Sequence, residues 1–273
     1  MRLLTLLFIV NLLQAEVLFT DYTNTAGITF SGMSEGVCVF DYNNDGLDDI
    51  LFTTRSGGIV HLYKNDGNMN FIDVSIESNI GHEMEARTAV AGDYDNDGDL
   101  DLFIGATIGS SKFFQNNGNG TFQDITNLVG ININDQVRGC SWFDYNQDGY
   151  LDLYVGLLFE PNLLYKNNGD GTFIDIAQNV GATGPVGAGI IMGLGAIDYD
   201  RDGDQDLYIT QDNYNGNILL KNENGNFFTD VSYYSQTDLE VMGMGIAFGD
   251  INRDGFFDFY TTNLNENSLL LNS

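Results

Sequence analysis

The stretch Asp93-Tyr94-Asp95-Asn96-Asp97-Gly98-Asp99-Leu100-Asp101 decides the fold, and it has the form D-x-[DN]-x-D-G-x-x-D. Four further copies begin at Asp41, Asp144, Asp198 and Asp250, so the first aspartates lie 51 to 54 residues apart. A nine-residue pattern that recurs five times at nearly one period predicts an array of equivalent structural units.

The residue types in this pattern suit a calcium ion. Side-chain oxygens stand at positions 1, 3, 5 and 9, position 7 can add a backbone carbonyl, and glycine at position 6 permits a sharp bend. Calcium takes about six to eight oxygen ligands, which such a loop can supply. A set of solvated turns is the alternative, because Asp, Asn and Gly are common turn residues. We predict about five bound Ca²⁺ ions.

The predicted metal ligands are the following residues of the five loops: Asp41, Asn43, Asp45, Leu47 and Asp49; Asp93, Asp95, Asp97, Asp99 and Asp101; Asp144, Asn146, Asp148, Tyr150 and Asp152; Asp198, Asp200, Asp202, Asp204 and Asp206; Asp250, Asn252, Asp254, Phe256 and Asp258.

The loops differ from the EF-hand, the calcium motif closest to them. An EF-hand loop runs to about twelve residues, ends in a bidentate glutamate and lies between helices. Position 12 here is Phe52, Ile104 or Val155 in the first three copies, none of which offers a carboxylate. The flanking residues are β-branched and aromatic, so each loop is predicted to connect two strands.

Composition limits the partners. The chain of 273 residues carries 39 acidic against 10 basic residues, a formal charge of −29. Such a surface repels nucleic acid and anionic membranes, which bind clusters of Lys and Arg. Residues 1–15 combine Arg2, an apolar run and Ala15, as a secretory signal peptide does, although a buried first strand is the alternative. We therefore predict a secreted or extracellular protein (periplasmic or on the cell surface if bacterial), with no membrane span and one domain over 16–273.

Each repeat contains four strand-like segments, and nothing of length has helical periodicity. Four short antiparallel strands repeated around an axis predict an all-β fold, a β-propeller of five four-stranded blades. The fifth repeat stops after its third segment, at Leu269–Asn272, whereas Leu18–Tyr22 resembles an isolated fourth segment. We therefore predict that the N-terminal strand completes the last blade and closes the ring. Cys38 and Cys140 precede loops one and three at different offsets, so no disulfide is predicted between them.

The order F-x-D-[VI], then DYDNDGDLDL, then LYKNNGDGTF resembles the FG-GAP/VCBS repeat family, the propeller repeat of integrin α-chain heads and of many secreted bacterial proteins. Within that family it is most similar to VCBS proteins of the cartilage acidic protein type. The resemblance covers residues 17–272. Relatives commonly have seven blades, so the five repeats leave open whether this is a complete ring or part of a larger propeller.

The integrin-like topology implied by this resemblance places a ligand face opposite the calcium loops, because the remaining inter-strand connections gather there. Loops on a rigid scaffold often carry binding residues. The residues predicted to lie on that face and to contact a ligand are Arg55, His82, Arg87, Arg138, Phe159, Asp212 and Tyr214.

We expect a binding protein and not an enzyme. Gly32-Met33-Ser34-Glu35-Gly36 matches the G-x-S-x-G nucleophile motif, but that motif needs a strand–turn–helix, which this all-β context does not predict. The leading hypothesis is an adhesion or protein-recognition module with an extracellular protein or glycan ligand. A carbohydrate-binding lectin is the alternative, and an enzyme that acts on polysaccharide is a weaker one.

Overall fold

The computed structural model describes residues 20–55, 57–184, 189–212 and 215–273. The predicted signal peptide, residues Leu18 and Phe19 of the predicted closing strand, and Tyr214 lie outside these ranges. No helix among the described residues is long and apolar enough to cross a bilayer.

The described chain folds into five antiparallel sheets, the blades, and each blade takes its strands in chain order. Blade 1 comprises β1 (Ser34–Phe40), β2 (Asp49–Thr54), β3 (His61–Asn65) and β4 (Phe71–Asp73). Blade 2 comprises β5 (Glu85–Gly92), β6 (Asp101–Ile108), β7 (Lys112–Asn116) and β8 (Phe122–Asp124). Blade 3 comprises β9 (Val137–Phe143), β10 (Asp152–Leu157), β11 (Leu163–Asn167) and β12 (Phe173–Asp175).

Blade 4 comprises β13 (Ile190–Ile197), β14 (Asp206–Asp212), β15 (Ile218–Asn222) and β16 (Phe228–Asp230). Blade 5 comprises β17 (Gly243–Gly249), β18 (Asp258–Asn263) and β19 (Ser268–Leu270). Two single-turn helices, α1 (Ala177–Val180) and α2 (Ser232–Ser235), follow the fourth strands of blades 3 and 4. The predicted fold class, an all-β propeller of five blades, is confirmed.

The core lies between blades, where the faces of consecutive sheets meet. Strands β6 and β10 are second in their blades, and their central residues are fully buried. Between blades 2 and 3 the ring of Tyr94 meets Phe113 edge-on at 4.9 Å and lies 5.8 Å from Phe173. Aromatic pairs at these separations add to the free energy gained by burying their area. The apolar positions of each strand therefore bind one blade to the next.

The innermost strands carry small residues because they approach one another closely around the axis. A Cβ atom added to Gly92 would lie 2.8 Å from the ring of Trp142 in the next blade. The crowding also reaches Gly105 of β6, the second strand, where an added Cβ would lie 2.5 Å from the side chain of Val137 in the innermost strand of the next blade. These glycines are required by the close approach of neighbouring strands.

The first and last blades do not pack together as consecutive blades do. Each innermost strand packs on the next from β1 to β17, but the described residues show no packing of that extent between β17 and β1. Val37 of blade 1 is 66% exposed, whereas Ala89, at the equivalent position of blade 2, is 5% exposed. Blade 5 has three strands among the described residues, and residues 20–22 form no strand. Ring closure by the N-terminal strand therefore stays a prediction.

The described part of the N-terminal segment is nevertheless built like the end of a blade. Thr23 donates its backbone N–H to Asp21 Oδ1 at 3.0 Å, as Thr126 does to Asp124 in blade 2. Phe71 donates its backbone N–H to Ala26 O at 2.6 Å, and Phe122 donates to Ser78 O at 2.8 Å in the same way. Residues 21–26 thus contact blade 1 as the end of one blade contacts the next.

Candidate metal centre

Each D-x-[DN]-x-D-G-x-x-D stretch connects the first and second strands of its blade, and its acidic side chains fold inward. In the second loop Asp93 accepts backbone N–H groups from Asp97 at 3.1 Å and from Gly98 at 3.0 Å. Gly98 has φ +92° and Asn96 has φ 60°, values that glycine and asparagine tolerate better than other residues do. The sequence pattern therefore serves both the backbone bend and the clustering of oxygens.

The aspartate at position 9 is the most deeply placed acid of each loop. Asp101 is 1% exposed and accepts backbone N–H groups from Tyr94 at 3.3 Å and Asn116 at 2.8 Å. Burial raises the pKa of Asp101 to about 8, against the opposing effect of the N–H group of Asn116. Burial likewise raises the pKa of Asp152 and of Asp206 to about 7. A carboxylate so desolvated is stabilised by a cation beside it.

Two loops bring three carboxylates together in the way a metal site requires. Asp93, Asp95 and Asp101 each place one carboxylate oxygen within 4.8 Å of the others. Asp198, Asp200 and Asp206 form the equivalent triad in blade 4.

These residues fit a calcium ion because some of their oxygens have no partner in the protein. Asp95 Oδ1 and Asp198 Oδ1 are buried and accept no hydrogen bond from any described residue. A buried carboxylate oxygen without a donor is costly, and a hard cation would satisfy it. The two triads could therefore hold metal ions such as Ca²⁺, and their aspartates would be the ligands.

The other three loops have the same backbone arrangement, but an amide stands at position 3. Asn43, Asn146 and Asn252 replace Asp95 and Asp200, so these loops contain fewer carboxylates. In the third loop Asp148 and Gly149 donate to Asp144 at 3.1 and 2.8 Å, as their counterparts do in the second loop. All twenty-five predicted ligand residues lie in these five equivalent connections or at the first residue of the strand that follows.

In blades 1 to 4 the last but one residue of the third strand contacts the acids of its own loop, and the type of this residue differs between blades. Lys64 lies 3.1 Å from Asp45, and Lys166 lies 3.7 Å from Asp148. Lys221 pairs with Asp200 and Asp202, which raises its pKa. In blade 2 the neutral Gln115 takes this place and donates to Asp95 Oδ2 at 2.8 Å. Acidic loops of similar sequence therefore differ in the charge beside them.

Neighbouring loops are also joined directly through the side chain at position 4. Asn44 donates to Asp99 Oδ1 at 2.7 Å, and Gln147 donates to Asp204 Oδ1 at the same distance. Asn96 donates to Gly149 O at 3.0 Å. The sequence pattern predicts no role for these residues, since position 4 is not a ligand position. Their side chains make a chain of contacts from the first loop to the fourth.

A second missed feature is the asparagine that ends each third strand. Asn116, Asn167 and Asn222 donate from Nδ2 to the carbonyl of the tyrosine in the loop of the preceding blade, at 2.7, 2.8 and 2.7 Å. Asn272 donates to Tyr199 O at 2.7 Å in the same way. The recurrence of Asn at this position could have revealed it. The first four loops are thus attached both to their own blade and to the next one.

On the face opposite the loops, the structure brings together part of the predicted ligand set. Arg55 and Arg87 lie 3.5 and 3.6 Å from the two carboxylate oxygens of Glu35. Arg138 donates from Nε to Ile191 O at 3.2 Å and is close enough to Arg87 and Asp212 to interact electrostatically with both.

The remaining predicted ligand residues do not join these arginines in any contact that the structure gives. His82 stacks on Phe114 at 5.9 Å, and Phe159 is exposed with φ 63°. Tyr214 lies outside the described residues. Ser34 of the G-x-S-x-G stretch lies in strand β1 and not at a strand-to-helix turn.

Comparison with known proteins agrees with this architecture. The FG-GAP-like repeat matches residues 41–104, 93–155, 159–209 and 198–261. Cartilage acidic protein 1 of Xenopus tropicalis is 25% identical over 269 residues, which cover 89% of this chain and 40% of that protein. The mouse (Mus musculus) protein of the same name is 26% identical over 198 residues, which cover 68% of this chain and 30% of its own length. The chain thus spans less than half the length of these distant homologues.

Among solved structures, BBS1N in complex with ARL6DN superposes with a TM-score of 0.54 at 11% identity. The match covers 88% of this chain and 66% of that chain, and at this identity it concerns the fold alone. The repeat matches extend over well more than half of the sequence and coincide with the five acidic loops and their strands. The chain belongs to the family of FG-GAP-like repeat proteins.

Proposed function

We propose that this chain is a secreted β-propeller whose five loops bind Ca²⁺ and whose opposite face recognises another protein. The observation that carries the calcium part is the pair of buried aspartate triads, each with an oxygen that no protein group satisfies. The ion would neutralise carboxylates that otherwise repel one another, and it would thereby stabilise the first hairpin of each blade. The bound metal has a structural role in this proposal, because binding and folding are linked.

Calcium at all five loops is the finer form of this proposal. Its support is the recurrence of the same backbone hydrogen bonds to the first aspartate in loops that carry Asn at position 3. An amide oxygen is an acceptable calcium ligand, so this exchange lowers the charge of the site without removing a donor. Isothermal titration of the metal-free chain should give about five equivalents of Ca²⁺; a count of two would restrict the metal to the triads.

The recognition part is supported by the division of the molecule into two unlike faces. The acidic loops occupy one end of the blades, whereas three arginines and the remaining inter-strand connections lie at the other end. Secretion is supported by the sequence of residues 1–15, and millimolar extracellular calcium would keep weak sites filled. We expect the secreted chain, immobilised in millimolar Ca²⁺, to retain a protein from the surface or matrix of its source cells, and to release it in chelator.

A lectin is the second candidate, with a glycan as the ligand. A glycan array probed with the same protein, in Ca²⁺ and in chelator, separates the two classes. Binding to a defined glycan class with no retained protein would replace adhesion by a lectin function. The connections between second and third strands differ in sequence from blade to blade, for example Arg55-Ser56-Gly57-Gly58 and Phe159-Glu160-Pro161. This difference disfavours a lectin with one sugar pocket repeated in every blade.

Enzymatic activity on polysaccharide is the third and weakest candidate.

A further inference from the structure

The innermost strand of each blade carries one residue near its start, on the face opposite the calcium loops, at an equivalent place around the axis. Each of these residues precedes the first aspartate of its loop by six positions, so they occupy equivalent places. We call this set the axial ring: Glu35, Arg87, Arg138, Met192 and Met244. The members of the axial ring are therefore charged in blades 1 to 3 and apolar in blades 4 and 5.

Contacts within the axial ring follow the order of the blades. Glu35 Oε2 lies 3.6 Å from Arg87 Nη1, across the junction of blades 1 and 2. Arg138 donates from Nη2 to the sulfur of Met192 at 2.9 Å, across the junction of blades 3 and 4. Arg55, at the end of β2, adds a third guanidinium 3.5 Å from Glu35 Oε1.

Among the described residues, the contacts of these arginines leave several of their N–H donors without an acceptor. The two contacts of Glu35 are ion pairs at or beyond the limit of a hydrogen bond, and Glu35 Oε2 is buried with no hydrogen-bond donor. Arg138 donates to a backbone oxygen and to a thioether, which is a weak acceptor. Guanidinium groups pair best with carboxylates through parallel short hydrogen bonds, and no such pair is formed here.

Charge makes this cluster exceptional in the molecule. Each of the four lysines of the chain pairs with a nearby aspartate. In this cluster, by contrast, three arginines lie around one glutamate, Glu35. Asp212 is the other acid that interacts electrostatically with Arg138. Burial and the nearby Arg87 lower the pKa of Arg138. In a chain of formal charge −29, the cluster concentrates positive charge at one accessible place, with Arg55 58% and Arg87 25% exposed.

We propose that Arg55, Arg87 and Arg138 bind a carboxylate of a protein partner and that Met192 and Met244 contact an apolar side chain next to it. This inference deepens the proposed recognition function and depends on it. Arginine is frequent among residues that dominate protein interfaces, and methionine adapts to varied apolar shapes. The alternation of charge with thioethers favours an acidic–apolar peptide segment over a sugar, which would need a stacking aromatic ring and several neutral hydrogen-bonding groups. Glu35 lies 3.5 Å from Arg55 and 3.6 Å from Arg87 and competes weakly with the incoming carboxylate.

The test uses the arginine side-chain Nε–H signals in ¹H–¹⁵N NMR spectra of the calcium-loaded chain at low ionic strength. The probe is Ac-Ala-Glu-Leu-NH₂, and Ac-Ala-Gln-Leu-NH₂ is its neutral match. We expect the Glu peptide to shift the signals of Arg87 and Arg138 at millimolar concentration, and the Gln peptide to leave them in place. Arg253, exposed on the calcium-loop face, supplies an internal control signal.

Variants sharpen the assignment. Arg87→Gln or Arg138→Gln should weaken binding of the Glu peptide about tenfold, the effect of losing one charge-assisted hydrogen bond. Arg253→Gln should leave binding unchanged. Glu35→Gln should strengthen binding severalfold because it removes the competing carboxylate, and it provides the test if an arginine variant fails to fold.

Three outcomes would overturn the inference: no shift of these signals, equal shifts with both peptides, or a galacturonate oligomer that shifts them at lower concentration than the Glu peptide. The last result would make the cluster a saccharide site. None of these outcomes affects retention of a protein partner in Ca²⁺, which tests the recognition function separately.

Discussion

The asparagine at the end of the third strand should be a principal link between blades, and one matched pair of variants measures its contribution. Asn167, 1% exposed, donates from Nδ2 to Tyr94 O in the preceding blade at 2.8 Å and to Leu151 O at 3.2 Å. Asn65 holds the same place in blade 1, and among the described residues its Nδ2 donates to Asp48 O of its own blade at 3.1 Å and to no carbonyl of another blade. Both amides also accept the N–H of a glycine two residues on.

Substitution by alanine therefore removes one more buried hydrogen bond at Asn167 than at Asn65. A buried carbonyl left without a donor costs about 1–3 kcal/mol. We expect Asn167→Ala to lower the free energy of unfolding by about 3 kcal/mol and Asn65→Ala by about 1 kcal/mol. The contact between blades is expected to account for most of this difference of about 2 kcal/mol, since the hydrogen bonds of Asn65 are also more exposed than those of Asn167.

Urea unfolding of the calcium-loaded chain measures both values. Trp142, the only tryptophan, lies in the innermost strand of blade 3 and packs 5.9 Å from Phe113 of blade 2, so its fluorescence reports on this junction. The comparison holds if both variants unfold with the same dependence on urea concentration. Equal destabilisation by the two substitutions would refute the assignment of Asn167 as a link between blades.

Three further predictions concern the loops and the last blade. Lys221→Gln should raise the calcium affinity of the fourth loop about tenfold, and Gln115→Lys should lower the calcium affinity of the second loop about tenfold, because a cation beside the acids competes with the metal. Titration calorimetry that shows no change of affinity in either variant would contradict this. The pKa of Asp101 is about 8 in the metal-free fold against about 4 in the unfolded chain, so the folded chain binds more protons than the unfolded chain between pH 4 and pH 8. The melting temperature in chelator should therefore fall as the pH rises from about 5 to about 8. This dependence of the melting temperature on pH should be weaker in Asp101→Asn. If the N-terminal strand closes the ring, Phe19→Ala should lower the melting temperature, because Phe19 begins the same F-x-D order as Phe122, whose ring packs 6.2 Å from Tyr42 of the preceding blade. A variant that melts like the wild type would contradict closure.

Much of this architecture was predictable because the motif carries both conformational and chemical information. Gly98 and its counterparts fix the bend of each loop, and the acids on either side fix the hard-cation chemistry, so loop position and blade number follow from spacing alone. The small residues of the innermost strands, such as Gly92, are likewise typical of strands that crowd around an axis.

The contacts between repeats could not be derived in this way. Asn44 and Asn167 are ordinary polar residues in a single repeat, and their partners lie one blade away. The clustering of Arg87 and Arg138 with Glu35 depends on three blades meeting at the axis, which spacing implies only after the topology is known. Ring closure depends on whether the first blade meets the last, and no local pattern specifies this.

Thermal unfolding of the chain in excess Ca²⁺ and in chelator, with Mg²⁺ as a control, is the most direct test of the proposal that calcium stabilises these blades. At a free concentration about 100 times the dissociation constant, each site adds about 2.7 kcal/mol. The two aspartate triads alone would then contribute about 5 kcal/mol, which for a chain of this size raises the melting temperature by about 10–20 °C. We predict a rise of at least this size with Ca²⁺ and a small one with Mg²⁺. A melting temperature that is the same in Ca²⁺ and in chelator would contradict the structural role of the metal.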